Sequence, residues 1–306
     1  MSYLFRSIEF PSQNATLRGR LYSRPDAPQP APVIIMAHGF SATIEGMVAD
    51  RYAEVFCDTG FAVLLFEHRN FGISDGEPRQ QINRWIQTRG YLDALDLVNK
   101  LDGIDADRIA LWGDSMSGGE VIVLGAVDTR IKAVIAQVPA CGDANAPPDP
   151  DQSLFKALRD TLLHGNVRAT PENTTGPLPI VSSDQQSIPS LLTPLTAFRW
   201  FIEYGGRYGT GWQNSATLVV PNTPAPFHPG LCAPYLKAAL LMMIARDDEM
   251  PGADSKTARS VFAAAPQPKE LIEIDGGHFG LLHYPGKLFD IASSVQRDFL
   301  TRHLIS

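Results

Sequence analysis

Ser115 stands in the stretch LWGDSMSGGE, between an apolar run and a series of small residues. Gly113 lies two positions before it and Ser117 two positions after it. The pattern G-x-S-x-G places a serine nucleophile on a sharp turn between a strand and a helix, and here serine replaces the second glycine. Because such a turn demands small residues rather than glycine itself, the variant pattern predicts a nucleophile at Ser115. The alternative is a glycine-rich turn with a structural role only.

A serine hydroxyl becomes a strong nucleophile only when a base removes its proton and an acid orients that base. Two later segments offer such groups directly after predicted strands: ARDDEMPG contains Asp247 and Asp248, and DGGHFGLLH contains His278 and His283. We favour His278 as the base because it lies on a glycine-flanked loop. We favour Asp248 as the acid because it lies one residue further beyond its strand. Asp247 and His283 are the alternatives.

Acyl transfer also requires hydrogen-bond donors for the negative charge that develops on the carbonyl oxygen of the substrate. One predicted donor is the backbone N–H of Met116, the residue after the nucleophile. The other is the backbone N–H of Phe40 in the loop AHGFSATIEG, which follows an early strand. We expect His38, in the same loop, to hold the loop by hydrogen bonding rather than to react.

Short apolar runs alternate with longer segments of helical period, which predicts an α/β fold with a mainly parallel sheet. The predicted strands are 33–39, 62–68, 109–114, 133–139, 239–245 and 269–275. The predicted helices are 46–58, 84–101, 116–126, 254–264 and 288–304, and an antiparallel hairpin of 6–10 and 16–22 precedes the first strand. The predicted nucleophile, acid and base all follow strands, so they should meet at the carboxyl edge of the sheet.

Residues 141–237 break this alternation and hold 13 of the 24 prolines, which a regular crossover helix does not tolerate. Only 153–163 and 191–204 read as amphipathic helices. We interpret the segment as an irregular, partly helical cap inserted into a core formed by 1–140 and 238–306. A disordered linker is the alternative, but its aromatic residues argue against disorder. Some of its aromatic residues should form an apolar substrate pocket. The candidates are Phe198, Trp200, Phe201, Tyr204 and Trp212, of which we favour Phe198, Phe201 and Trp212.

The composition disfavours several other classes of function. A net charge of −7 argues against sequence-independent binding to nucleic acid or to an anionic membrane. The longest apolar run, 238–245, is too short for a membrane span. The first residues, MSYLFRSIEFPSQ, contain no long apolar stretch, so we expect no secretory signal. Three cysteines without a recognisable spacing predict reduced thiols in a cytoplasmic protein. No H-E-x-x-H motif or cysteine–histidine cluster indicates a metal. The glycines of 205–211 do not link a strand to a helix, so they do not indicate a dinucleotide cofactor.

Several motifs together resemble the α/β-hydrolase superfamily: HGF at 38–40, EHRNFGISDGEPR at 67–79, LWGDSMSGG and DGGHFG. They look most similar to its acetyl-xylan-esterase and dienelactone-hydrolase-like branch. The segment YGTGWQNSATLVVP is similar to one in the fungal polyketide-transferase-like hydrolases of that branch. The resemblance is clear in the core and weak in the insertion.

This resemblance implies an α/β-hydrolase fold and a serine hydrolase whose triad is Ser115, Asp248 and His278. Ser117 and Asn70 depart from the family pattern, and neither departure removes a catalytic group. Because the branch contains several functions, the resemblance does not imply a particular substrate.

The leading hypothesis is a carboxylic-ester hydrolase that acts on a small-molecule acyl ester through an acyl-enzyme on Ser115, without a cofactor. An acyltransferase or thioesterase that uses the same intermediate on a polyketide or other thioester is the runner-up. A third hypothesis is a catalytically silent scaffold that binds a ligand. The sequence leaves the oligomeric state open, a homo-oligomer included.

Overall fold

The computed structural model describes residues 4–167 and 171–305. The strands in these ranges are β1 (Leu4–Ser12), β2 (Ala15–Ser23), β3 (Ala31–Ala37), β4 (Ala62–Phe66), β5 (Gln81–Ile82), β6 (Ile104–Asp114), β7 (Ile131–Gln137), β8 (Pro171–Leu178), β9 (Ala216–Pro221), β10 (Ala239–Ala245) and β11 (Lys269–Ile274). The α-helices are α1 (Ala49–Asp58), α2 (Arg84–Val98), α3 (Ser115–Val127), α4 (Ser153–His164), α5 (Leu195–Trp200), α6 (Pro229–Cys232), α7 (Ser255–Ala264) and α8 (Lys287–Leu304). Within the same ranges, none of the helices combines the length and apolar composition needed to cross a membrane.

The central sheet has eight strands in the order β1-β2-β4-β3-β6-β7-β10-β11. β1 and β2 form the hairpin that the sequence predicts, and β2 pairs antiparallel with β4. From β4 to β11 all neighbouring strands run parallel. The predicted α/β fold with a mainly parallel sheet is therefore confirmed. The carboxyl ends of its parallel strands share one edge, where the loops that leave them can form a site.

Apolar side chains cover both faces of this sheet. Every residue of β3 is buried, and successive side chains of a strand point to opposite faces. Ile34 and Met36 accordingly belong to a hydrophobic cluster shared with α1 and α8, whereas Val33 and Ile35 belong to a second cluster shared with α2 and α3. Burial on both faces explains why the strands read as continuous apolar runs rather than as alternating patterns.

Residues 141–237, where they are described, contribute no strand to the central sheet. The expectation of an irregular, partly helical segment is incomplete, because β8 and β9 form a second sheet with β5 in the order β5-β9-β8. The two predicted helices are present as α4 and as α5, which continues into a π-helical turn at Phe201–Gly205. The division of the chain into a core and a cap stays a prediction.

Candidate active site

Ser115 lies on the tight turn between β6 and α3. Its φ of +53° falls in the left-handed region, where a side chain is strained and the conformation usually serves a purpose. Two glycines make room for the turn. A Cβ atom at Gly39 would lie 2.8 Å from the Cβ of Ser115, and one at Gly113 would overlap the carbonyl group of Ser117. Glycine is thus required before the serine, whereas position 117 accommodates a side chain.

His278 and Asp248 form a buried pair on the loops that follow β11 and β10. Nδ1 of His278 lies 2.8 Å from Oδ2 and 3.0 Å from Oδ1 of Asp248, and the two side chains are only 2% and 3% exposed. With the Nδ1 proton donated to the carboxylate, Nε2 is the ring nitrogen that can accept a proton. The two alternatives, His283 and Asp247, are exposed instead.

The loop after β3 is fixed against the turn by His38. Its Nδ1 donates to Oδ1 of Asp114 at 3.1 Å, and the backbone N–H of Gly39 donates to the same oxygen at 3.0 Å. The backbone N–H of Ala49 donates to Nε2 of His38 at 3.1 Å. Because one ring nitrogen donates and the other accepts, the imidazole is neutral and both nitrogens are occupied. His38 therefore positions the loop that continues into Phe40, as the sequence led us to expect.

The hydroxyl group of Ser117 ties α3 to the same loop. It donates to the carbonyl oxygen of His38 at 2.7 Å and lies 2.9 Å from Nε2 of His68. Nε2 of His68 lies 3.0 Å from that carbonyl oxygen as well. Oε2 of Glu120 lies 3.2 Å from the hydroxyl oxygen. The serine that replaces the usual glycine thus makes contacts with the loop of Phe40 that a glycine cannot make.

Burial shifts the pKa values of two groups in this cluster. It raises the pKa of Glu120 to about 8 and lowers the pKa of His68 to about 4. Both side chains are therefore uncharged at pH 7. Among the described residues, Oε1 of Glu120 and Nδ1 of His68 have no hydrogen-bond partner.

Glu249 links the loop of His278 to α5. Its Oε2 accepts the backbone N–H of His278 at 3.0 Å, and its Oε1 accepts the hydroxyl group of Thr196. Burial acts to raise the pKa of Glu249, but these two hydrogen bonds outweigh it and lower that pKa below its usual value. A Cβ atom at Gly277 would collide with this carboxylate, so the glycine before the histidine leaves the space that the carboxylate of Glu249 occupies.

A cavity of about 200 Å³ opens at Ser115 and is also lined by His278, Phe40 and Met116. Most of its wall is apolar, which is typical of sites for small organic ligands. The other large apolar side chains that line it are Leu192, Trp200, Phe201, Leu218, Met250, Phe279 and Leu282.

The three aromatic residues predicted to bind substrate differ in their position relative to the cavity. Phe201 lines the cavity. Trp212 does not line it but stacks on Phe201, with ring centroids 5.3 Å apart, and Phe198 is partly buried against the hydrophobic cluster of the core. The turn from α5 into its π-helical end presents Trp200 and Phe201 to the cavity instead, a choice of face that the aromatic composition alone does not reveal.

Arg84 is a polar lining residue that sequence reasoning missed. It stands at the start of α2, directly after the N-capping Asn83, and no motif distinguishes it from a surface arginine. Within 4–167 and 171–305, there is no group of three His, Cys, Asp or Glu side chains that could hold a metal ion.

A family model described as the alpha/beta hydrolase fold matches residues 32–184, half of the chain. The chain belongs to this family. The match extends from β3 through the turn of Ser115 and into β8 and the residues after it.

Three relatives resemble this chain over nearly its whole length. It is 28% identical over 300 residues to the quorum-quenching protein AidA of Acinetobacter baumannii, covering 96% of this chain and 94% of AidA. It is 27% identical over 304 residues to a thiohydrolase of Eupenicillium brefeldianum, covering 96% and 93% of the two chains. It is 27% identical over 301 residues to the polyketide transferase GrgF of a Penicillium species, covering 97% and 96%.

The crystal structure of GrgF matches this structure with a TM-score of 0.73 and 24% sequence identity, covering 99% of this chain and all of GrgF. At that identity the likeness shows a common fold. The family model thus shows an α/β-hydrolase, and the relatives named here include a thiohydrolase and a polyketide transferase.

Proposed function

We propose that this α/β-hydrolase cleaves carboxylic esters through an acyl-enzyme intermediate on Ser115. The observation that carries the proposal is the buried hydrogen-bonded pair of His278 and Asp248, whose histidine lines the same apolar cavity as Ser115. An acid-oriented imidazole beside a serine on a strained turn is the arrangement that activates a hydroxyl nucleophile.

In the proposed reaction, Nε2 of His278 takes the proton of the Ser115 hydroxyl as its oxygen attacks the ester carbonyl carbon. Asp248 holds the imidazole in the required tautomer and stabilises the imidazolium that forms. The backbone N–H groups of Phe40 and Met116 stabilise the negative charge on the carbonyl oxygen. His278 then returns the proton to the leaving alcohol, and the same steps with water release the acid and restore Ser115.

The first prediction concerns the nucleophile. Ser115→Ala should abolish hydrolysis of p-nitrophenyl esters with C2 to C12 acyl chains and abolish labelling by a fluorophosphonate probe. It removes only a hydroxyl group, so circular dichroism and the Tm should remain those of the unsubstituted protein. His283→Ala is the matched control, because that exposed histidine should be dispensable whereas His278→Ala should be inactive. Labelling that persists in Ser115→Ala would place the nucleophile elsewhere.

Acyl transfer is the second candidate, and the likeness to a polyketide transferase and to a thiohydrolase supports it. Both candidates share the acyl-enzyme and differ only in what attacks it. Acyl thioesters should be supplied with and without an alcohol or amine acceptor, and the products separated by mass spectrometry. Free acid as the main product in the presence of acceptor supports hydrolysis, whereas an acylated acceptor supports transfer.

A further inference from the structure

Arg84 brings a positive charge to the wall of the cavity that contains Ser115. Its Nη2 donates to the carbonyl oxygen of Ala140 at 3.2 Å and, weakly, to that of Met116 at 3.5 Å. Its guanidinium group lies over the ring of Phe227, 4.6 Å from the centroid. In the described part of the chain no ion pair joins Arg84 to a carboxylate, and its buried Nε has no hydrogen-bond partner.

Acids near this charge are already engaged or are neutral. Asp114, which also lines the cavity, accepts hydrogen bonds from His38 and from the backbone of Gly39. Glu120 interacts electrostatically with Arg84, but its carboxyl group keeps its proton at pH 7 because burial raises its pKa to about 8. Burial lowers the pKa of Arg84, yet a guanidinium retains its charge in proteins.

The side chain of Arg84 is partly buried, and a charge withdrawn from water normally has a partner of opposite sign, because the loss of hydration is costly. The chain nonetheless makes room for this one. A Cβ atom at Gly119 would collide with Nη2 of Arg84, so the glycine in SMSGG is what admits the guanidinium group beside α3. The charge faces a cavity whose remaining wall is mostly apolar, where an ionic contact is weakly screened.

We propose that Arg84 binds a carboxylate of the substrate, so that the enzyme prefers esters that carry a negative charge on the acyl chain or on the alcohol part. This inference rests on the proposed ester hydrolysis. Arginine suits the task because its planar group forms paired hydrogen bonds with a carboxylate. Among the described residues, Nη2 is the one nitrogen of Arg84 that donates to the backbone.

Two pairs of substrates test the inference and separate the two positions of the charge. The first pair is p-nitrophenyl glutarate and the corresponding glutaramate, which differ by carboxylate against amide on the acyl chain. The second pair is 4-acetoxybenzoate and 4-acetoxybenzamide, which differ in the same way on the leaving group. For one pair at least, the wild-type protein should show a kcat/KM for the carboxylate at least tenfold above that for the amide.

Arg84→Gln should bring this carboxylate-to-amide ratio to about one, because it removes the charge and keeps a polar side chain. Arg84→Lys keeps the charge without the planar fork and should retain part of the preference. Arg199→Gln, at an exposed position near the end of α5, makes the same charge change and should leave the ratio at its wild-type value. A purely structural role of Arg84 would lower both rates and leave their ratio unchanged.

The inference is overturned if the wild-type ratios are near one, or if Arg84→Gln keeps the wild-type ratio. Calorimetric titration of Ser115→Ala with glutarate and with glutaramate gives a readout that needs no turnover. Glutarate should bind at least tenfold more tightly, and Arg84→Gln in the same background should remove the difference. Hydrolysis of neutral esters without any carboxylate preference would refute the role of Arg84 alone. Absence of turnover with every ester would refute the proposed function alone, provided that glutarate still binds.

Discussion

Asp247 and Asp248 are adjacent in the chain but lie in opposite surroundings. The side chain of Asp248 is buried against Nδ1 of His278, whereas Asp247 is exposed. Asp248→Asn should therefore reduce kcat by several orders of magnitude, because the histidine would lose the acceptor that fixes its tautomer; a loss of about 10⁴-fold follows the same exchange in serine proteases. Asp247→Asn should stay within a few-fold of wild type. Steady-state kinetics of the two variants decide the assignment, and the reverse ranking would move the acid to Asp247.

At the residue scale, the sequence supplies the candidates for the site. Ser115, Asp248 and His278 could be selected because each directly follows an apolar run, and parallel strands bring their carboxyl ends to one edge. The surroundings that distinguish Asp248 from Asp247 are tertiary. So are those of Arg84 and Glu249, whose partners lie tens of residues away along the chain. No local pattern encodes such contacts.

At the scale of elements, α5 and its π-helical turn form one wall of the cavity. Phe201 lines that wall and Phe198, one turn earlier, does not. Phe201→Leu should change the dependence of kcat/KM on acyl chain length across C2 to C12 esters. For at least one chain length, kcat/KM relative to the other esters should change roughly tenfold, since a methylene group in such a pocket contributes about 1–3 kcal/mol.

Phe198→Leu is the matched control and should keep the wild-type chain-length profile. Leucine is used at both positions because it preserves an apolar side chain and limits the loss of packing. If both variants shift the profile equally, the wall defined by Phe201 does not determine chain-length preference.

Glu249 connects this element to the loop of His278. Glu249→Ala should lower kcat by about 10- to 100-fold with a smaller effect on KM, because a small displacement of the base costs rate more than binding. Glu249→Gln keeps an acceptor oxygen and should recover much of the rate. Thr196→Val removes only the hydrogen bond between Glu249 and α5. If this variant loses as much kcat as Glu249→Ala, the carboxylate acts through α5 rather than through the loop of His278.

The elements themselves were predictable to different degrees. β10 agrees with its predicted bounds because it is a continuous apolar run between polar loops. β6 begins at Ile104, earlier than predicted, because its first residues, IDADR, are mostly polar and none of them is fully buried. β8 was missed for a related reason, because PENTTGPL is polar apart from its glycine, its prolines and Leu178. β9 is apolar, but the two-residue β5 that completes their sheet is too short to leave a pattern.

At the scale of the whole molecule, the protonation of Glu120 should affect the stability of the fold. Its pKa rises from 4.5 in the unfolded chain to about 8 in the folded protein. Between these values the folded state holds a proton that the unfolded state has lost, so this contribution to stability is complete below pH 4.5 and declines as the pH rises to about 8. His68, Arg84, Asp114 and Tyr91 are the other ionisable groups that act on Glu120.

Glu120→Gln should remove this decline. Between pH 6.5 and pH 8 the free energy of unfolding of the wild-type protein should fall relative to that of the variant by up to about 2 kcal/mol, at 1.36 kcal/mol for each pH unit. His68, whose pKa burial lowers from 6.5 to about 4, acts mainly below pH 6.5 and is present in both proteins, so it does not account for the difference. Urea denaturation at several pH values measures the difference, and parallel curves for the two proteins would contradict the prediction.

The short strand β5 has a consequence for protein engineering. Gln81 and Ile82 pair with Thr217 and Leu218 of β9, although they precede α2 and lie far outside residues 141–237. An exchange of 141–237 between two family members, made to transplant substrate preference, would leave this pairing mismatched two residues before Arg84. The transferable module is therefore bipartite, and a chimera should carry the donor's counterpart of 80–84 together with the longer segment.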